Sequence, residues 1–175
     1  MRPFSFGSVM FYVREASSSD LPAVVALLKS SYDVQLRDAY PPSVFERLRE
    51  HVLAVPIELV DSGRFYLAEH DQKILGCGGW MRDVPDQLEP RQHFGLLRMF
   101  ASSPSALRCG VASEILYQCV ASARVEGVKG FECVTTLNAV GFFRNRGFVV
   151  EGEMSAFPLA GTSEKIPMVR MQREF

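Results

Sequence analysis

The chain has 175 residues, of which 47% are hydrophobic and 22% charged, and its formal net charge at pH 7 is −1. A chain of this length can bury a substantial core, so its composition indicates one globular domain and argues against disorder. Because there is no surplus of basic residues, a nucleic-acid partner is not expected. No apolar run reaches the roughly 18–20 residues that span a bilayer, and residues 1–13 lack signal-peptide features. We therefore expect a cytoplasmic protein with no membrane partner.

The cysteines and histidines indicate neither a metal site nor a disulfide framework. The four cysteines form no Cys-x-x-Cys pair, and the three histidines belong to no His-Glu-x-x-His pattern. These residues are Cys77, Cys109, Cys119, Cys133, His51, His70 and His93. The expected number of bound metal ions is therefore zero.

The chain divides into a short N-terminal extension and one domain. Residues 1–9 show no periodicity, whereas 10–14 are typical of a first strand. We therefore expect a loose extension over 1–9 and a single domain over 10–175. Two helices are predicted next, because apolar residues recur at helical spacing over 21–32, after a cluster of N-cap serines, and again over 42–56.

The middle of the chain predicts a hairpin followed by a polar loop. The runs 64–69 and 73–80 are rich in β-forming residues and are joined by a short polar turn. The segment Gly76-Cys-Gly-Gly79 lacks the third glycine of a dinucleotide fingerprint, and Pro85 stands where a helix should begin. These glycines are therefore expected to let the backbone approach another strand or a ligand. Residues 81–93 are polar and are predicted to loop over one face.

A strand, a loop and a helix then follow in immediate succession. An apolar strand over 96–101 ends at Ser103-Pro104, and a helix opens at Gly110 and stops near Gly127. The first N–H groups of a helix have no internal partner and carry partial positive charge, so a phosphate can bind there. A lone glycine before a helix is more often a plain turn, so the loop alone leaves both interpretations open. The remaining predicted elements are strand 129–135, helix 139–146, strand 149–154 and strand 166–172.

A second segment favours the phosphate-binding interpretation. It reads Thr136-Leu-Asn-Ala-Val-Gly-Phe-Phe-Arg-Asn-Arg-Gly147-Phe148. Together with Gly110 and Ala112 of the loop, it resembles the GNAT superfamily of acetyl-CoA-dependent N-acetyltransferases, over about residues 12–171. Leu107 stands where that family has Gln or Arg, and Arg108 is displaced by one position. The resemblance implies an α/β (α+β) fold: a single domain with a mixed, mostly antiparallel sheet of six to seven strands, flanked by about four helices.

Carried over residue by residue, the resemblance implies an acetyl-CoA site made largely of main chain. The residues expected beside the pantetheine arm are Met99, Phe100, Ala101 and Ser102. Those expected beside the pyrophosphate are Leu107, Arg108, Cys109, Gly110, Val111 and Ala112, with Ser113 as a further donor. Asn138 could donate to the arm or could instead cap the helix that starts at Ala139. Phe143 stands where the family has a Tyr whose hydroxyl protonates the leaving thiolate.

Transfer to an amine also needs a proton acceptor, because an alkyl amine is almost fully protonated at pH 7 and only its neutral form can attack the thioester. The candidate bases are Glu69, Asp83 and His93, each with the alternative of a solvated surface residue. Tyr117 and Ser102 are candidate acids in place of the Tyr that Phe143 replaces.

The sequence thus predicts an enzyme that moves the acetyl group of acetyl-CoA directly to a primary amine. The alternative is an acyl-CoA-binding regulatory domain with little or no catalysis. A P-loop hydrolase is disfavoured because the loop has no Gly-Lys-Ser/Thr ending. The expected partner is a small-molecule or peptide amine, and a homodimer is left open. Carboxylates at Asp83, Asp86 and Glu89, with Glu58 and Asp61 before the hairpin, favour polyamines or other basic amines over acidic amino acids, if they line the mouth of the site. The alternative is a solvated loop.

Overall fold

The computed structural model describes residues 4–6, 9–52, 55–82, 91–156 and 166–175. Its strands are β1 (Phe4–Phe6), β2 (Val9–Glu15), β3 (Phe65–His70), β4 (Lys73–Met81), β5 (Phe94–Ser102), β6 (Gly130–Thr135), β7 (Val149–Ala156) and β8 (Ile166–Glu174). Its α-helices are α1 (Leu21–Gln35), α2 (Pro42–Val52), α3 (Ile57–Val60), α4 (Val111–Val125) and α5 (Val140–Arg144).

The strands form one sheet in the order β1-β2-β3-β4-β5-β6-β8-β7. All neighbouring strands are antiparallel except β5 and β6, which are parallel. Strands β2 to β8 are the mixed, mostly antiparallel sheet that the sequence predicts. Within the segment 1–9, expected to be a loose extension, β1 instead pairs with β2 and places Phe4 opposite Phe11. A strand of three residues is too short to show alternation in the sequence.

Helices cover both faces of this sheet because each buries one apolar stripe. On one face, α4 buries Val111, Ile115 and Cys119, which recur at the spacing of helical turns. On the other face, α1 buries Leu27 and Leu28 over β4 and β5. We refer to these two surfaces as the α4 face and the α1 face.

The α1 face has a second cluster over the other half of the sheet. Phe45 and Leu48 of α2 pack there with Ile166 and Met168 of β8. Tyr32 of α1 packs against both clusters of this face and so lies between the two halves of the sheet. A further helix, α3, is a single turn that lies just beyond the predicted end of the second helix, and the sequence did not predict it.

The glycines of β4 set how closely the neighbouring elements approach it. A Cβ atom on Gly76 would lie 2.4 Å from Cγ1 of Val111, and one on Gly78 would lie 2.8 Å from the ring of Phe100. No side chain larger than hydrogen fits at either position without movement of its neighbours. Gly76 therefore fixes the first turn of α4 close to the sheet, in agreement with the close approach expected from the sequence.

Candidate functional site

Strands β5 and β6 separate partway along their length. Their paired residues are Phe94 with Gly130, Gly95 with Phe131, and Leu96 with Glu132. Beyond these pairs, β5 continues to Ser102 and β6 to Thr135. Within the described residues, these two continuations have no strand between them. We call the opening between residues 97–102 of β5 and 133–135 of β6 the notch.

A β-bulge turns β5 away from β6 at this point. Where β4 advances from Cys77 to Gly79, β5 spans Ala101 to Arg98 and so contains one extra residue. Met99 within the bulge has a φ of 60°, a left-handed conformation that is uncommon for a residue other than glycine. The thiol of Cys77 donates a hydrogen bond to the carbonyl of Met99 at 3.2 Å. Because a bulge bends its strand and increases the local twist, this one accounts for the opening of the notch.

The loop after β5 leads directly to the N-terminus of α4. Arg108 and Gly110 both have positive φ, 62° and 78°, and Gly110 is the N-cap residue, with no side-chain cap. Glu114 donates its N–H to the carbonyl of Gly110 at 3.0 Å. The N–H groups of residues 111–113 precede that bond and have no acceptor within the helix. Such a row of N–H groups is suited to bind an anion.

Arg146 brings positive charge to the same helix terminus. It follows α5, and its Nε donates a hydrogen bond to Oγ of Ser113 at 3.2 Å. Arg108 is exposed in the loop beside this terminus. A cation at a helix N-terminus is unfavourable unless an anion offsets it. The sequence analysis did not single out Arg146, although it lies in the second matching segment, just before Gly147.

An aromatic cluster joins the second segment to the bulge. Phe143 of α5 is 3% exposed, and its ring centroid lies 5.9 Å from that of Phe100 and 5.2 Å from that of Phe148. Since Phe100 directly follows the bulge residue Met99, Phe143 lies on the α4 face beside the notch. Its side chain offers no proton, as the sequence indicates.

Asn138 lies in the turn between β6 and α5, at the other side of the notch. The N-cap residue of α5 is Ala139 and no side-chain cap is formed there, so the alternative role of Asn138 as a cap is not observed. The Asn138 side chain is exposed. In the described part of the chain it has no hydrogen-bond partner.

Four ion pairs between two arginines and two glutamates hold the sheet together where β5 and β6 separate. Glu132 is 3% exposed, with Oε1 3.0 Å from Nε of Arg91 and Oε2 2.7 Å from Nη2 of Arg170. Glu151 of β7 contacts the same two arginines, at 2.6 Å and 3.3 Å. This ring of charges connects the start of β5 to β6, β7 and β8.

Arg98 lies in β5 at the base of the notch, next to the bulge. It is half-buried on the α1 face, where Nη1 lies 3.9 Å from Sδ of Met81 and the side chain interacts electrostatically with Tyr32. Burial lowers the pKa of Arg98, yet a guanidinium keeps its proton at physiological pH. Sequence analysis missed Arg98 because it occupies one position of an otherwise apolar strand.

The structure does not bring the two candidate bases that it describes, Glu69 and His93, to the notch. Glu69 lies on β3, two strands from β5, and accepts a hydrogen bond from Nε of Arg14 at 2.8 Å. His93 is exposed and precedes β5, about 20 Å of strand away from Met99 at roughly 3.3 Å per residue. Asp83 lies outside the described residues, as do Asp86 and Glu89.

The two candidate acids differ in position. Tyr117 is 64% exposed, and it projects from the side of α4 opposite to the buried residues Ile115 and Cys119. Its hydroxyl therefore points away from the sheet and does not reach the notch. Ser102 ends β5 and is half-buried, so it does lie at the edge of the notch.

Two features are absent from the described residues. In that part of the chain, His, Cys, Asp and Glu side chains form no cluster of three or more that could bind a metal ion. None of the described helices is long and apolar enough to cross a membrane.

Comparisons with known proteins agree with this geometry. The model of the acetyltransferase (GNAT) family matches residues 22–148, more than half of the chain. No curated protein matches. Many solved structures do, among them a GCN5-related N-acetyltransferase from Rhodopseudomonas palustris, with a TM-score of 0.75 and 16% identity over 100% of this chain and 99% of that one.

Two further structures are similar to this chain. PaiA N-acetyltransferase from Thermoplasma acidophilum, in complex with coenzyme A, has a TM-score of 0.67 and 12% identity over 95% of this chain and 100% of that one. Ribosomal-protein-alanine N-acetyltransferase from Brucella melitensis has a TM-score of 0.63 and 17% identity over 94% and 99%. At these identities the similarity shows the fold alone.

Proposed function

Since the chain belongs to the GNAT family of acetyltransferases, we propose that it transfers the acetyl group of acetyl-CoA directly to a primary amine. The observation that carries this proposal is the notch, which places an unpaired strand edge directly before a helix terminus rich in N–H groups and cations. A strand edge suits an extended amide-containing chain, and the helix terminus suits a phosphate. Acetyl-CoA has both parts in this order.

The pyrophosphate would lie against the N–H groups of residues 111–113. Arg108 and Arg146 would add charge-assisted hydrogen bonds, and Ser113 a hydroxyl. An anion at this position also offsets the repulsion between the Arg146 guanidinium and the α4 terminus. The complex of the Thermoplasma acidophilum protein with coenzyme A supports this choice of ligand.

The pantetheine arm would extend along residues 99–102 of β5, whose edge toward β6 has no strand partner among the described residues. Its amide groups can pair with main-chain N–H and C=O groups there, and Asn138 faces the opening from the side of β6. Main-chain pairing explains why the side chains of this strand can serve the core instead.

The reaction forms an N–C bond and breaks the C–S bond of the thioester. The amine loses its proton to water, and the CoA thiolate leaves. Because Phe143 supplies no proton, the thiolate departs either unaided or with help from water or Ser102. A thiol of pKa ~8.5 is a tolerable leaving group at pH 7, so we infer turnover rather than an inactive binding domain.

Two measurements test this function. Calorimetry with acetyl-CoA measures donor binding, and thiol release across a panel of small-molecule and peptide amines measures transfer. We expect micromolar or tighter binding, together with thiol release that requires an amine. Binding without any amine-dependent thiol release would favour the regulatory-domain alternative.

A further inference from the structure

Arg98 is a half-buried cation that none of the described residues neutralises. Among the described residues its side chain contacts no carboxylate. Its neighbours are Met81, at 3.9 Å, and Tyr32. Burial raises the pKa of Tyr32 and raises that of the Cys77 thiol, which lies beside Tyr32, to about 12. Both groups are therefore uncharged at neutral pH.

The buried carboxylate of this face does not serve Arg98 either. Glu132 lies at the base of the notch, but it forms ion pairs with Arg91 and Arg170 at 3.0 Å and 2.7 Å, the second of which is also a hydrogen bond. A half-buried guanidinium without an anion reduces stability, because it has lost part of its hydration without gaining a pair. Such a residue is typical of a site where a ligand supplies the missing charge.

The donor cannot supply that charge, because its phosphates belong to the other face of the sheet. The α4 terminus, Arg108 and Arg146 are on the α4 face, whereas Arg98 is on the α1 face. If the donor arm fills the notch from the α4 face, the acceptor must approach from the α1 face. Arg98 is then the cation nearest to the bulge on the acceptor's side.

We propose that Arg98 binds a carboxylate of the acceptor, so that the substrates are amines that carry a carboxylate, the class to which amino acids belong. This proposal rests on the proposed acetyltransferase function and specifies its acceptor. The planar guanidinium suits a carboxylate because it can donate two parallel hydrogen bonds. It also gives the half-buried Arg98 a partner that none of the described residues provides. The basic amines predicted from Asp83, Asp86 and Glu89 lack this group.

The test compares acceptors that differ only in the charge of one group. Each amino acid is paired with its carboxamide, for example phenylalanine with phenylalaninamide, and kcat/KM is measured with saturating acetyl-CoA. The amide lowers the basicity of its amine and so presents more neutral nucleophile at pH 7. A higher kcat/KM for the amino acid than for its carboxamide therefore cannot arise from a larger fraction of neutral amine. We expect kcat/KM about 10²-fold higher for the acids.

Variants of Arg98 connect that preference to the guanidinium. We expect Arg98→Gln to lower kcat/KM for acids to the value for amides, with the amide value unchanged, and Arg98→Lys to give an intermediate result. Arg124→Gln is the matched control, since it removes the same charge from an exposed position of α4, and it should leave both values unchanged. The melting temperature of Arg98→Gln should equal or exceed that of the wild type.

Three results would overturn the proposal. The first is equal kcat/KM of the wild type for acids and amides. The second is an equal loss for both in Arg98→Gln. The third is a loss of both, accompanied by a lower melting temperature, which would assign Arg98 a packing role. In the first two cases the enzyme still acetylates amines, so the proposed function survives.

If no amine is acetylated, the proposed function is contradicted. A binding measurement still decides whether Arg98 binds a carboxylate. With CoA present, N-acetylated amino acids should raise the melting temperature of the wild type but not of Arg98→Gln. N-acetylated amino amides should raise neither. No shift with the acids, or the same shift in both proteins, would refute the role of Arg98.

Discussion

Replacement of Gly110 by alanine tests whether the loop before α4 binds acetyl-CoA. The control is the same replacement at Gly127, at the other end of α4. Gly110 precedes α4 with a φ of 78°, and Gly127 follows α4 with a φ of 75°. A left-handed conformation costs a residue with a Cβ about 1–2 kcal/mol. Gly110→Ala and Gly127→Ala should therefore be destabilised by similar amounts, and for a chain of this size each should melt about 2–8 °C lower.

Only Gly110→Ala should weaken acetyl-CoA binding. An alanine at this position favours a different φ and would move the N–H groups that follow it away from the pyrophosphate. The loss of one or two hydrogen bonds to a charged group, at about 1.5–3 kcal/mol each, raises Kd by at least tenfold. Isothermal titration of both variants, at a temperature where both are folded, measures the difference. Gly127→Ala should bind as the wild type does.

The comparison separates strain from recognition. If the two variants lost stability equally and neither lost affinity, the pyrophosphate would lie elsewhere and the assignment of the loop would be wrong. If both lost affinity equally, the effect would come from a weakened α4 rather than from contact with the ligand.

Three further predictions concern the same site. Arg146→Ala should weaken acetyl-CoA binding about tenfold at low ionic strength and less at high salt, whereas Arg124→Ala should not; equal effects would indicate a general charge effect. Cys109 should be alkylated first by iodoacetamide and protected by CoA, because the other three cysteines are buried; mass spectrometry decides, and a thiol unprotected by CoA would lie outside the site. Phe143→Tyr should raise kcat, by up to about 10²-fold, with an unchanged Kd for acetyl-CoA; normal binding with no gain in kcat would mean that proton transfer to the thiolate is not limiting.

Much of the fold could be predicted because its determinants are local. Apolar spacing along α1 and α4 and the β-rich runs of β3 and β4 lie within short windows, and the structure confirms each element. The fold class is also confirmed, since the family match and the sheet agree with the resemblance. The loop at Gly110 could be located for the same reason: one glycine marks the start of a helix.

The remainder of the site depends on pairing between distant strands. The bulge at Met99 is defined only by comparison with β4, and the notch only by where β6 stops pairing, so neither has a local signature. Arg98 was therefore overlooked as one polar residue in an apolar strand. Conversely, Glu69 and His93 were named for their chemistry, and only the fold shows that Glu69 lies two strands from β5 and that His93 precedes β5.

The short pairing between β5 and β6 has a mechanical consequence. Two halves of one sheet, β1 to β5 and β6 to β8, pair along three residue pairs. The charge ring around Glu132, the packing of Tyr32 and the core of the α4 face, where the rings of Trp80 and Phe131 lie 5.7 Å apart, also connect them. On the proposed function, the donor fills the gap and bonds along β5, so that the substrate completes the sheet. Ligand binding then adds main-chain pairing at the one place where β5 and β6 are apart, and departure of CoA removes it.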